Sequence, residues 1–143
     1  MRDAPACSRP EFYLADEPSQ SRTLPCDPDS VATARRLVVA VLARWGMSQD
    51  AVERAELVVS ELATNAIRHA RTGGASIRVT VTHLGEDRVQ LAVTDLDPRP
   101  LKRRQAGPDD EGGRGLDLVA ALSVGWGCDR RHWGKRVWAE LAA

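Results

Sequence analysis

Between Ala55 and Ala70 the chain reads A-E-L-V-V-S-E-L-A-T-N-A-I-R-H-A, and within it Glu61, Asn65 and His69 recur every four residues. Four-residue steps place side chains above one another on a helix, about 6 Å apart along the axis. A carboxylate, a carboxamide and an imidazole would thus be aligned over about 12 Å, the reach needed to serve a metal and a row of phosphates. A polar helix face bordering the core would contain the same residues, and the spacing alone does not separate the two readings. Val58, Val59, Leu62, Ala63, Ala66 and Ile67 form a second stripe at helical spacing, so one face of this helix turns inward.

The elements that must hold this helix are legible on either side. Residues 1–21 contain Pro5, Pro10 and Pro18 and no sustained period. They read as a poorly ordered arm in which Phe12, Tyr13 and Leu14 add an edge strand or dock weakly. The single domain is expected over residues 22–143, opening with a short strand at Arg22-Thr23-Leu24 that Pro25 ends. Asp27-Pro28-Asp29-Ser30 signals a helix start, with Asp29 or Ser30 as the cap. That helix runs to about Trp45 with Val31, Ala34, Leu37, Val38, Val41 and Leu42 inward, and Gly46 closes it. Ser48 caps the next helix, Gln49 to Ala70, and Arg71-Thr72-Gly73-Gly74 makes a turn.

Ile77, Val79 and Val81, then Val89, Leu91 and Val93, alternate with polar or small residues across the short connection Gly85 to Arg88. This is the period of a half-buried antiparallel hairpin. From Asp95 to Gly115 regular structure lapses, with a basic cluster (Arg99, Lys102, Arg103, Arg104) and an acidic one (Asp109, Asp110, Glu111). A loop of this length inside a compact domain points to a lid or binding loop. A short helix at Leu116–Leu122 and a closing strand pair, Val124–Cys128 and Arg136–Leu141, follow, turned by His132-Trp133-Gly134. The order predicts a two-layer α+β sandwich, a largely antiparallel sheet with helices on one face.

Composition narrows the partners. Lys plus Arg and Asp plus Glu each number 20 in 143 residues, so no global field points to nucleic acid or an anionic membrane. Cys7, Cys26 and Cys128 are odd in number and in no metal-ligand spacing, which argues against a disulfide framework and for a reducing cytoplasm. No apolar run approaches a membrane span and the N-terminus lacks a signal-peptide core.

Two further pieces could do chemistry. Val93-Thr94-Asp95 delivers a carboxylate at a strand end. Gly112-Gly113-Arg114-Gly115-Leu116 runs glycines into a helix, where exposed N–H groups and the positive dipole end suit an anion. It lacks the GK[ST] ending of a Walker A motif, and no βαβ unit surrounds it as a dinucleotide fingerprint requires.

In order and spacing, the E-L-A-T-N-A-I-R-H-A box, the aspartate and the G-G-R-G-L box together resemble the GHKL (Bergerat) ATP-binding fold, in its small branch of anti-sigma-factor serine kinases. The resemblance covers residues 22–141. It implies Mg-ATP as ligand, with Asn65 on the magnesium and Glu61 as the general base toward an attacking hydroxyl. Arg68 and His69 would lie toward the phosphates or the ribose, although for His69 a capping or packing role stands beside that one. Asp95 would accept a hydrogen bond from the adenine amino group. Gly113, Arg114, Gly115 and the backbone of Leu116 would hold phosphates, with residues 98–114 as the lid. The implied partners are a sigma factor and a small STAS-type antagonist protein, with the protein itself a homodimer.

The sequence departs from the family pattern twice. Asp97 stands where the wider family has a glycine, and Arg136 stands in Gly134-Lys135-Arg136-Val137-Trp138 where the branch places a threonine that supports the adenine contact. An arginine cannot act as a hydroxyl acceptor, so weakened nucleotide binding is expected. A non-catalytic, ATP-responsive binding module is therefore the alternative function.

Overall fold

The computed structural model describes residues 18–69, 75–85, 87–96, 112–131 and 134–142. The elements are β1 (Ser19–Pro25), α1 (Asp29–Arg44), α2 (Gln49–His69), β2 (Ser76–His83), β3 (Arg88–Asp95), α3 (Gly112–Leu122), β4 (Gly125–Arg131) and β5 (Gly134–Ala142). The five strands form one sheet in the order β1-β2-β3-β5-β4, with every neighbouring pair antiparallel. The expected α+β architecture is observed.

Strand alternation sorts the sheet into two faces. In register, Ile77 opposes Asp95, Val79 opposes Val93 and Val81 opposes Leu91, while Val93 opposes Val137 and Leu91 opposes Ala139. These side chains share the inner face and are all buried. Val38, Val41 and Leu42 of α1 and Val58, Val59, Leu62, Ala63 and Ala66 of α2 complete the same core cluster, which Val119 of α3 joins. Leu62 is 1% exposed, and truncating such a residue to alanine costs about 2–5 kcal/mol.

Several boundaries differ from expectation for local reasons. β1 begins at Ser19, three residues earlier than the Arg22 start. The extension is paid by pairing: Ser19, Gln20 and Ser21 continue the ladder with Thr82, Val81 and Thr80, and Ser21 and Thr80 share a hydroxyl hydrogen bond of 2.9 Å. Neither Asp29 nor Ser30 caps α1, because both already lie within its first turn. Asp27 takes that part, its Oδ1 accepting from the Asp29 N–H at 2.9 Å, and the buried Ser30 hydroxyl donates instead to the Pro25 carbonyl at 2.7 Å. Gly46 ends α1 as expected, at a φ of 75° that glycine adopts without a Cβ penalty. Ser48 caps α2, its Oγ accepting from Ala51 N–H at 3.1 Å. α3 starts at Gly112, one turn before the expected Leu116. The expected turn at residues 71–74 and most of the expected lid lie outside the described residues.

Candidate functional site

α2 spans the inner face lengthwise, and its two ends fix the site's position. Near its start, Arg54 Nη2 donates to the Ala142 carbonyl at the end of β5. At its end, His69 Nδ1 lies 3.3 Å from Lys135 Nζ at the beginning of β5. α2 therefore runs opposite to β5 and brings Asn65 and His69 to the end of the sheet where β3 finishes at Asp95. α3 ends beside β5, where the Val124 N–H donates to the Glu140 carbonyl at 2.8 Å. Packed along α2, it begins at the opposite end, with Gly112, Gly113 and Gly115 in its first turn.

Glu61, Asn65 and His69 differ in burial. Glu61 and His69 are half-buried, whereas Asn65 is only 9% exposed. The Asn65 side chain makes no hydrogen bond to any described residue. Its amide is not among the buried polar atoms left without a partner, so the carboxamide reaches solvent at this end of α2 and is accessible to a ligand. Asp95 is likewise 9% exposed and is engaged within the protein. Arg68 is exposed on α2. The N–H groups of residues 112–115 form the first turn of α3, which moves the expected anion donors one turn earlier than a helix starting at Leu116 would.

Two residues that sequence reasoning passed over enter the site. The β3–β5 ladder pairs Thr94 with Arg136, so the next step places Lys135 level with Asp95 on the inner face. A lysine ammonium only donates hydrogen bonds. His69 Nδ1 must then accept, and the ring proton sits on Nε2. Lys135 thus links the end of α2 to the strand beside Asp95 and fixes the tautomer of His69. Gly134 is the second: its φ is 153°, and a Cβ there would collide with the Asp95 carbonyl oxygen. Only glycine allows β5 to start this close to the backbone of Asp95. A sheet register, had it been known, would have exposed both.

Arg136 requires a correction. The same alternation that turns Lys135 inward turns Arg136 to the outer face, where its Nη2 donates to Gln90 Oε1 at 3.1 Å. It does not reach the site, so the expectation that it weakens nucleotide binding loses its basis. Asp97 and the basic cluster of Arg99, Lys102, Arg103 and Arg104 lie outside the described residues. Among the described residues no cluster of three or more His, Cys, Asp or Glu side chains could hold a metal. The Asn65 amide oxygen could serve magnesium, an oxygen-seeking ion that keeps several waters and shares substrate phosphates.

Fold and site together define an α+β domain of the GHKL type. The family model described as "Histidine kinase-like ATPase domain" matches residues 24–140, and the chain belongs to that family. It is 32% identical over 112 residues to the serine-protein kinase RsbW of Listeria innocua, covering 69% of this chain and 71% of that one. Over 114 residues it is 32% identical to the RsbW of Bacillus licheniformis, covering 68% and 69%. An uncharacterized protein of Streptomyces coelicolor is 43% identical over 87 residues, 59% of this chain and 81% of that one. Among solved structures, the RsbU and RsbW domains of Rv1364c from Mycobacterium tuberculosis superpose with a TM-score of 0.68 over 87% of this chain at 20% identity. This chain spans 32% of that longer one, and the likeness speaks to the fold. No helix among the described residues is long and apolar enough to cross a membrane.

Proposed function

We propose that the protein binds Mg-ATP at the Asp95 end of the sheet and transfers the γ-phosphate to a Ser or Thr hydroxyl of a small STAS-type antagonist, thereby controlling a sigma factor in the cytoplasm. The observation that carries the reading is the placement of Asn65, one turn beyond Glu61 on α2, at the end of the sheet where β3 delivers Asp95. The kinship with RsbW serine-protein kinases supports the choice of acceptor.

Each residue has a distinct task. Asn65 would offer its oxygen to the magnesium ion, which when bound neutralises phosphate charge. Glu61, half-buried and one turn away, would accept the proton of the attacking hydroxyl as its oxygen bonds to phosphorus and the bond to ADP breaks. Phosphoryl transfer depends on positioning and charge stabilisation, so one correctly placed base suffices. Asp95 would accept from the adenine amino group, a charged hydrogen bond worth about 1.5–3 kcal/mol. The first-turn N–H groups of α3, with Gly113, Gly115 and Leu116, and the Arg114 side chain would hold phosphate oxygens. His69, with its proton on Nε2, would donate to a ribose or phosphate oxygen.

The test combines calorimetry with a transfer assay using labelled ATP and the antagonist. The wild type should bind and transfer, while Glu61→Ala should bind and fail to transfer. ATP at millimolar concentration should also raise the melting temperature, since a ligand specific to the native state stabilises it. Transfer that survives Glu61→Ala unchanged removes Glu61 from its role, and binding without turnover by the wild type would establish the non-catalytic module instead.

A further inference from the structure

Lys135 stands beside the carboxylate placed to read a base, and this bears on which base is read. On the inner face Ile77 opposes Asp95. One step past the Thr94–Arg136 pair, Lys135 is level with Asp95 on its other side. Residues level on neighbouring antiparallel strands have Cβ atoms about 4.5–5.5 Å apart. A hydrogen-bond acceptor and a donor thus rise side by side from this end of the sheet. The two strands run close here, since a Cβ at Gly134 would strike the Asp95 carbonyl oxygen.

The last turn of α2 lies above that floor. Lys135 is half-buried, and its Nζ lies 3.3 Å from His69 Nδ1. The two nitrogens of an imidazole point in divergent directions. With Nε2–H turned to the ribose or a phosphate, Nδ1 and the ammonium beside it fall on the base side. A purine carries its sugar on N9, so the edge farthest from the sugar, formed by N1, C6 and the group on C6, is the one that meets the floor. On that edge adenine presents a donor at N6 and an acceptor at N1.

We propose, resting on the Mg-ATP reading, that Lys135 is a specificity-determining residue whose ammonium donates to adenine N1 while Asp95 accepts from N6. The contact with His69 is compatible with this role, because an ammonium carries three N–H donors and a carboxylate accepts on both oxygens. A bond between the two charges themselves would still leave each with capacity for the base. Guanine in the same pose presents the opposite pattern: its O6 faces the Asp95 carboxylate and its N1–H faces the ammonium. Asp95 alone supplies the first mismatch, and Lys135 adds the second. A site built to hydrogen-bond a substrate group discriminates against analogues lacking it far better than an apolar pocket does. Arg136 does not share the task, since it lies on the outer face and donates to Gln90.

The test is calorimetry of the full chain with magnesium and four nucleotides: ATP, GTP, 1-deaza-ATP, in which C–H replaces N1, and 7-deaza-ATP, in which C–H replaces N7. The wild type should bind 1-deaza-ATP about ten-fold more weakly than ATP, the lower end for a charge-assisted hydrogen bond. It should bind 7-deaza-ATP within about two-fold of ATP. This comparison needs no variant to fold. Lys135→Met, which keeps an unbranched side chain without the donor, should bind ATP and 1-deaza-ATP alike and prefer ATP over GTP several-fold less than the wild type does. Arg136→Met should retain the wild-type ratios. Equal wild-type affinity for ATP and 1-deaza-ATP, with Asp95→Asn still weakening both, would overturn the role of Lys135 and leave the Mg-ATP reading intact. A 1-deaza-ATP penalty that persists in Lys135→Met, or a penalty on 7-deaza-ATP instead, would overturn it as well. Absence of ATP binding by the wild type would overturn both the role of Lys135 and the Mg-ATP reading.

Discussion

The two faces of the sheet are built from the same strands by alternate residues, and they serve opposite ends. The inner face is apolar through the middle of β2, β3 and β5, and at its Asp95 end Lys135 and His69 gather. The outer face is polar or charged over most of its area, cross-linked by Arg136 to Gln90 and by Arg88 to Glu140, and interrupted by one buried indole. Adjacent residues therefore have unrelated tasks: Thr94 and Arg136 belong to the outer face, Asp95 and Lys135 to the inner. The difference teaches that a single-residue shift in register decides which side chains can touch a ligand.

Substitutions on either face can break or sharpen that contrast. The largest effect is expected at Glu61, where replacement by alanine should lower phosphoryl transfer about 100- to 10,000-fold, the usual worth of a general base, while calorimetric ATP affinity stays within a few-fold. Next, Asp95→Asn should weaken ATP binding by about 10- to 150-fold, corresponding to loss of a charged hydrogen bond, whereas Thr94→Val should leave it within about two-fold. Equal effects at the two positions would refute the assignment of faces.

Gly134→Ala should also weaken ATP binding, by forcing the Asp95 carbonyl to move, and lower thermal stability through backbone strain of about 1–3 kcal/mol. Lys135→Met should produce a smaller change, because it removes the ammonium beside His69 Nδ1 and leaves the Asp95 carboxylate in place. Its most specific readout is nitrogen NMR of His69: the wild type should hold its proton on Nε2, and the variant should populate both tautomers. Smallest of all, Arg136→Thr should change ATP affinity by less than about two-fold and stability by about 0.5 kcal/mol or less, as for most surface substitutions.

Much of this was legible in the sequence because helical and strand periods report burial directly. The inward residues of α1 and α2 and the β2–β3 hairpin followed from spacing alone, and the boxes around Glu61, Asp95 and Gly113 carried the family resemblance. What escaped was set by pairing across the chain. Lys135 and Arg136 are both cations in one short strand, and only the register with β3 tells which one faces Asp95. Ser19 to Ser21 offer no apolar alternation, yet backbone pairing with β2 makes them strand. The glycines of α3 suggested a loop by propensity, but helical backbone extends through them from Gly112. Gly134 resembled an ordinary turn glycine until the Asp95 carbonyl was found beside it.

The most direct measurement is a crystal structure with magnesium and a non-hydrolysable ATP analogue. The account predicts an Asp95 carboxylate oxygen about 2.8–3.0 Å from the adenine amino nitrogen, and the Asn65 side-chain oxygen about 2.1 Å from the magnesium ion. An analogue bound elsewhere, or bound here with Asp95 turned from the base and Asn65 away from the metal, would contradict it.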